Sequence, residues 1–138
     1  MEKLTILIVL GFLSGCTLPQ IRPRAEVQRT FATVDYLEVS AVGQVLTITA
    51  RETIARIQMA YSRSKVEPIP QTEPLDMVTI CGIQGGQEKF KLRFGAGWIM
   101  DIDPESESIV RWGKLTDEDR EWLQKNIRSK LPPNPGII

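Results

Sequence analysis

The chain has 138 residues, with 17 lysines and arginines against 17 aspartates and glutamates, and no histidine. The charge balance removes the electrostatic case for nucleic acid or for broad attraction to an anionic surface. Without histidine, Ser-His-Asp and Cys-His catalysis and the commonest zinc ligand sets are excluded.

The chain opens with Met1-Glu2-Lys3, then an apolar run over residues 4–12, then Leu13-Ser14-Gly15-Cys16. A basic start, a short apolar stretch and small residues after it mark a secretory signal peptide, although Glu2 offsets Lys3. The run is too short to cross a bilayer as a helix, which takes about 20 residues. Leu13-Ser14-Gly15-Cys16 resembles the lipobox of bacterial lipoproteins: a leucine, two small residues, then cysteine, directly after the apolar run. The resemblance covers the leader alone. It implies cleavage between Gly15 and Cys16, a diacylglycerol on the Cys16 thiol, and acylation of the new amino group. One acyl chain binds a membrane only marginally and two or more anchor stably, so a lipidated Cys16 is the expected membrane partner contact. In Gram-negative members an aspartate after the cysteine marks inner-membrane retention. Thr17 in its place implies the outer membrane, if the source is Gram-negative.

Residues 16–33 read as the lipidated N-terminus and a flexible tether, polar and broken by Pro19 and Pro23. A single folded domain is expected over residues 34–131, with a loose tail over 132–138. If Cys16 carries lipid, Cys81 has no intramolecular partner. In an oxidising envelope it is expected to be buried as a small hydrophobe.

Within the domain, residues 36–41 and 45–49 read as strands around a Gly43-Gln44 turn. Thr49-Ala50-Arg51-Glu52 is a capping box and starts a helix ending near Ser64, with Ala50, Ile54, Ile57 and Tyr61 as its apolar stripe. Glu52 and Arg56 are spaced as an i,i+4 pair. Residues 77–83 and 88–94 then form a hairpin over a Gly85-Gly86 turn. The expected register sets Cys81 against Phe90, Thr79 against Leu92 and Met77 against Phe94. A three-residue loop, Gly95-Ala96-Gly97, sets Phe94 against Trp98, Leu92 against Met100 and Phe90 against Ile102. A loop over 104–108 sets Met100 against Trp112, Ile102 against Val110 and Asp101 beside Arg111. This meander has one apolar face and one face of paired charges, Lys91 with Asp101 and Lys89 with Asp103. Thr116 caps a last helix whose buried stripe is Trp122, Leu123 and Ile127. The expected fold class is α+β: an antiparallel meander with two helices packed on its apolar face.

No catalytic residue, metal or cofactor is assigned. Asp101, Asp103, Glu105 and Glu107 have only part of a calcium-loop pattern, because Ser106 and Trp112 stand where an EF-hand needs glycine and glutamate. Cys81 lacks a histidine base. No helix start follows Gly82, Gly85 and Gly86, so they are not a phosphate loop. Trp98 and Trp112 are expected in the core of the apolar face. They become a candidate binding patch if a helix leaves one end of the sheet uncovered.

These features point to a membrane-anchored lipoprotein of the cell envelope that binds an envelope protein or a cell-wall polymer. An inhibitor or immunity-type lipoprotein is one form of that role. The rival is a carboxylate-dependent enzyme acting on glycans, which requires a cleft with two acids. A third role, an accessory subunit of a larger complex, requires a large exposed apolar patch.

Overall fold

The computed structural model describes residues 24–72 and 77–132. The signal peptide, Cys16 and most of the expected tail lie outside the described residues. The fold is α+β, with seven strands in one antiparallel sheet of order β2-β1-β4-β5-β6-β7-β3. The strands are β1 (Tyr36–Ala41), β2 (Gln44–Ile48), β3 (Lys65–Val66), β4 (Val78–Gln84), β5 (Gln87–Gly95), β6 (Trp98–Ile102) and β7 (Ile109–Lys114). The helices among the described residues are α1 (Ala25–Thr33), α2 (Arg51–Arg63) and α3 (Asp117–Asn126), followed by a 3-10 turn at Arg128–Lys130. The expected meander is β4 to β7. The β1–β2 hairpin adds to it beside β4, and β3 closes the other edge.

The tether expected as far as Thr33 is corrected by α1. Val27 and Phe31 are four apart, so they share one helix face, and both are buried. Phe31 lies against Tyr61 of α2 and Phe90 of β5, with ring centroids 6.1 Å and 4.6 Å apart. Three helices therefore cover the sheet instead of two. Their buried residues form one cluster with Leu37, Val39, Val78, Ile80, Leu92, Phe94 and Ile99 of the strands.

The β4–β5 and β5–β6 registers differ from expectation throughout and the β6–β7 register differs at one end, each with a local cause. Gly85-Gly86 is the two-residue turn, with Gln84 opposite Gln87. A bulge then intervenes between Gly82 and Ile83, which sets Gly82 against Phe90, Ile80 against Leu92 and Val78 against Phe94. Gly82 permits this because the Phe90 ring lies over it: a Cβ there would fall 2.3 Å from the ring. Met77, Thr79 and Cys81 are thus turned to the opposite face.

The second difference is at Ala96-Gly97, which forms a two-residue turn with φ of 51° and 86°, the left-handed pair that a type I′ hairpin requires. Gly95 pairs with Trp98, Phe94 with Ile99 and Leu92 with Asp101. A one-residue slip exchanges the faces of a strand. Ile99 and Asp101 therefore face the helices, while Trp98, Met100 and Ile102 face away. The β6–β7 register holds at Met100–Trp112 and Asp101–Arg111, then shifts at a bulge so that Ile109 opposes Ile102. The expected face of paired charges is corrected: Met100, Ile102 and Trp112 form a second apolar cluster there. Lys91 pairs with Glu107 at 2.7 Å, and Cys81 is half-buried rather than enclosed.

The helix starts also differ. The cap of α2 is Ala50, without a side-chain hydrogen bond, in place of Thr49. Ile54, Ile57, Ala60 and Tyr61 form its buried face, while Ala50 is exposed. Arg56 reaches Asp119 of α3 at 2.7 Å instead of its expected partner Glu52. In α3, Thr116 caps as expected, accepting from the Asp119 N–H. Leu123 and Ile127 are buried, and Trp122 is partly so.

Candidate functional site

Trp98 and Trp112 come together, with ring centroids 5.2 Å apart and planes tilted by 42°. They lie on the face away from the helices, packed with Met100, Ile102, Met77 and Ile109. Trp112 is only 2 % exposed, so what the pair offers to a partner comes from Trp98. Asp103 and Glu107 are accounted for locally. The Asp103 carboxylate accepts from the Glu105 N–H at 3.0 Å, and that bond holds it below the ordinary carboxylate range. Glu107 serves Lys91, which likewise lowers its pKa.

The more informative place is the helix-covered face at Asp101 and Arg111, both 1 % exposed. Their position follows from the Ala96-Gly97 turn, which rotates Asp101 inward, and from the ladder that sets Arg111 opposite it. Tyr61 of α2 donates its hydroxyl proton to Asp101 Oδ2 at 2.6 Å. The same hydroxyl oxygen accepts from the Arg24 backbone N–H at 2.9 Å, just before α1. Arg111 donates to Ser64 Oγ at 2.8 Å and to the Ser64 carbonyl at 2.9 Å. Its guanidinium carbon stands 5.6 Å from the Tyr61 ring centroid. A tyrosine, an acid and a base thus join α1, α2, β6 and β7.

The network is incomplete. Asp101 Oδ1 and Arg111 Nε are buried without a hydrogen-bond partner. Leaving a buried polar atom unsatisfied costs about 1–3 kcal/mol. Burial raises the Asp101 pKa, and the Tyr61 hydrogen bond and the Arg111 and Arg24 charges only partly offset this. Burial, and then the neighbouring Asp101 charge, push Tyr61 well above its ordinary value, so its hydroxyl remains a donor.

Asp101 also lines a cavity of about 220 Å³ where β6 ends and α1 begins. Val27, Phe90 and Ile102 supply apolar wall, and Arg24, Glu26, Lys89 and Lys91 are the other charged groups around it. Arg24 is ion-paired with Glu26. Sequence reasoning placed Asp101 on an exposed, base-paired face and so missed this site. The one signal that locates it is Ala96-Gly97 read as a two-residue turn.

The buried acid has a testable pH signature. Its folded pKa exceeds the unfolded value of about 3.9, so its contribution to stability is best below that value and is lost as pH rises through the folded pKa. Asp101→Asn keeps an acceptor for Tyr61 and removes the ionisation. Urea melts from pH 3 to 7 are expected to favour the variant increasingly above about pH 4. A wild-type-to-variant difference that is flat with pH would contradict the buried carboxyl.

No family model, curated protein or solved structure matches the chain.

Proposed function

We propose that this chain is a lipid-anchored binding module of the bacterial cell envelope, tethered through Cys16. The observation that carries the anchor is Leu13-Ser14-Gly15-Cys16 after the apolar run. Support for a binding role comes from the cavity of about 220 Å³ that Asp101 lines together with Arg24, Glu26, Lys89, Val27 and Phe90. The start of α1 at Ala25 tightens the geometry: residues 17–24 span at most about 29 Å even when fully extended. The domain would thus work close to the bilayer surface, toward an envelope protein or a cell-wall component within that reach. An outer-membrane location is favoured by Thr17 if the source is Gram-negative.

Cys16→Ser removes the only thiol that the lipobox places for acylation. Metabolic labelling with a fatty acid is expected to mark the wild type and to miss the variant entirely, and the variant should leave the membrane fraction. A variant that still labels would sink the anchor.

One observation favours a second reading, a carboxylate-dependent enzyme acting on glycans. Asp101, whose pKa burial raises, lines the same cavity as Glu26, which is ion-paired with Arg24. Two carboxyl groups in different environments on one cavity are the arrangement that carboxylate-dependent glycoside hydrolysis uses. Glycan hydrolysis by the wild type that disappears in both Asp101→Asn and Glu26→Gln would move the conclusion to this reading.

A further inference from the structure

The two edges of the sheet differ in how they meet solvent. The β3 edge is two residues long and sets Lys65 opposite Lys114. Short, charged edges resist pairing with another chain. The β2 edge has neither defence: Gln44-Val45-Leu46-Thr47-Ile48 has no charge, no proline and no bulge. The turn between β1 and β2, Val42-Gly43, has φ of 51° and 78°, the left-handed pair of a type I′ hairpin. Such a turn makes Ala41 and Gln44 a hydrogen-bonded pair. Ladder alternation repeats this at Val39–Leu46 and Leu37–Ile48. The N–H and C=O groups of Val45 and Thr47 therefore point away from β1, and no strand lies beyond β2. The same hairpin exposes apolar surface, with Val45 at 62 % and Val42 at 51 %. Beneath the strand, Leu46, Thr49, Ala50, Thr53 and Ile127 line a groove of about 210 Å³.

We propose that β2 is the interface of a symmetric dimer, pairing antiparallel with β2 of a second copy about a two-fold axis at Leu46. Such an interface needs a patch that is complementary to itself. Centred on Leu46, the pairing sets Val45 of each copy against Thr47 of the other, so every outward group of both residues finds a partner. On the face away from the helices, the row across the joint runs from Glu38 to Thr47 and then to Val45 and Ser40 of the second copy. No charge in that row meets a like charge. The same register brings the Val42 turn of one copy level with Thr49 and Ala50 of the other, beside the groove beneath its strand. An unrelated extended peptide would use the same hydrogen-bonding groups but leave Val42 in water. The inference goes beyond the binding-module reading and does not depend on the lipid.

The test places a cysteine on the axis. Residues opposite each other at a non-hydrogen-bonded antiparallel site have Cα atoms about 4.5 Å apart, a separation that a disulfide spans. Mild oxidation of full-length Leu46→Cys in its membrane is expected to give a covalent dimer of twice the chain mass. The wild type, with Cys16 and Cys81, sets the background. Gln44→Cys is in the same strand but two residues off the axis, so its two copies lie about 13 Å apart and should not crosslink. Adding Thr47→Pro to Leu46→Cys removes an outward N–H that an edge strand can lose. By symmetry the dimer then lacks two hydrogen bonds, and crosslinking should fall at least about tenfold. Melting curves identify a variant that fails to fold. Sedimentation of the unsubstituted chain in detergent reads the dimer without any substitution. The proposal is overturned if that chain is a monomer at every concentration tested or if Gln44→Cys crosslinks as readily as Leu46→Cys. It is equally overturned if folded Leu46→Cys gives no dimer, if folded Thr47→Pro changes nothing, or if the crosslinked product contains another protein. Cys16→Ser is expected to dimerise normally, which separates failure of the edge from failure of the anchor.

Discussion

Asp119→Ala is expected to destabilise the fold by about 3 kcal/mol, the lower end of the range for removing one partner of a buried ion pair. The Asp119 side chain is fully enclosed between α2 and α3. Its Oδ1 accepts from Arg56 at 2.7 Å and from Arg63 at 2.5 Å, and its Oδ2 accepts from Arg63 Nε at 3.2 Å. Alanine leaves two guanidiniums facing each other with no acid between them. The effect stays at the lower end because both arginines retain some access to water. Arg56 also keeps its position 4.9 Å over the Trp122 ring. The pH dependence has a definite sign. Burial alone would raise the Asp119 pKa, but hydrogen bonds from Arg63, Arg56 and Thr116 outweigh it and hold the carboxyl below its ordinary value. A depressed folded pKa gives stability that is present above the unfolded value of about 3.9 and lost as pH falls through the folded one. Urea denaturation should therefore find a large wild-type advantage at pH 7 that shrinks on acidification. An advantage that is constant down to pH 2 would show that the ion pairs are not its source.

The second large effect is at the start of the domain. Phe31→Ala should cost about 3–5 kcal/mol, the usual range for truncating an enclosed aromatic. Phe31 is 1 % exposed and sits between Tyr61 and Phe90, so its loss opens a void that three elements border. The loss reaches the cavity as well, because α1 positions both Val27 and the Arg24 N–H that donates to Tyr61. Hydrogen exchange should speed up across α1 and at Tyr61 before it does in β4 and β5. If Phe31→Ala instead loses under about 1 kcal/mol, far below that range, α1 is a loosely attached segment and the tether is as long as its composition suggests.

Much of the fold was legible in local chemistry. The cap at Thr116, the Gly85-Gly86 turn and the alternation of Phe90, Leu92 and Phe94 each identify an element without reference to the others. The stripe Ile54, Ile57 and Tyr61 does the same for α2. What was not legible depended on packing between elements. Arg24 through Thr33 reads as tether because its apolar residues are few, and only the seat for Phe31 over Phe90 makes it a helix. The β4 register turned on the Phe90 ring lying across Gly82. The β6 register turned on whether Gly95 belongs to strand or loop, a single-residue ambiguity that exchanges Asp101 with Met100. The site went undetected for that reason. A strand whose more apolar set faces away from the main core contradicts the rule that places Trp98, Met100 and Ile102 inside, and a second cluster with Trp112 accommodates them.

Asp101 and Asp119 together give the stability profile a shape. The raised Asp101 erodes stability as pH rises, and the depressed Asp119 erodes it as pH falls. These two groups alone would place the optimum in mildly acidic conditions.

The proposed anchored role depends most on the lipid at Cys16. Intact-mass and N-terminal peptide mass spectrometry of the protein extracted from its native membrane tests it directly. The predicted result is a chain that begins at Cys16 and carries two or three acyl chains on that residue. A chain retaining Met1, one cut elsewhere, or one beginning at an unmodified Cys16 would contradict it.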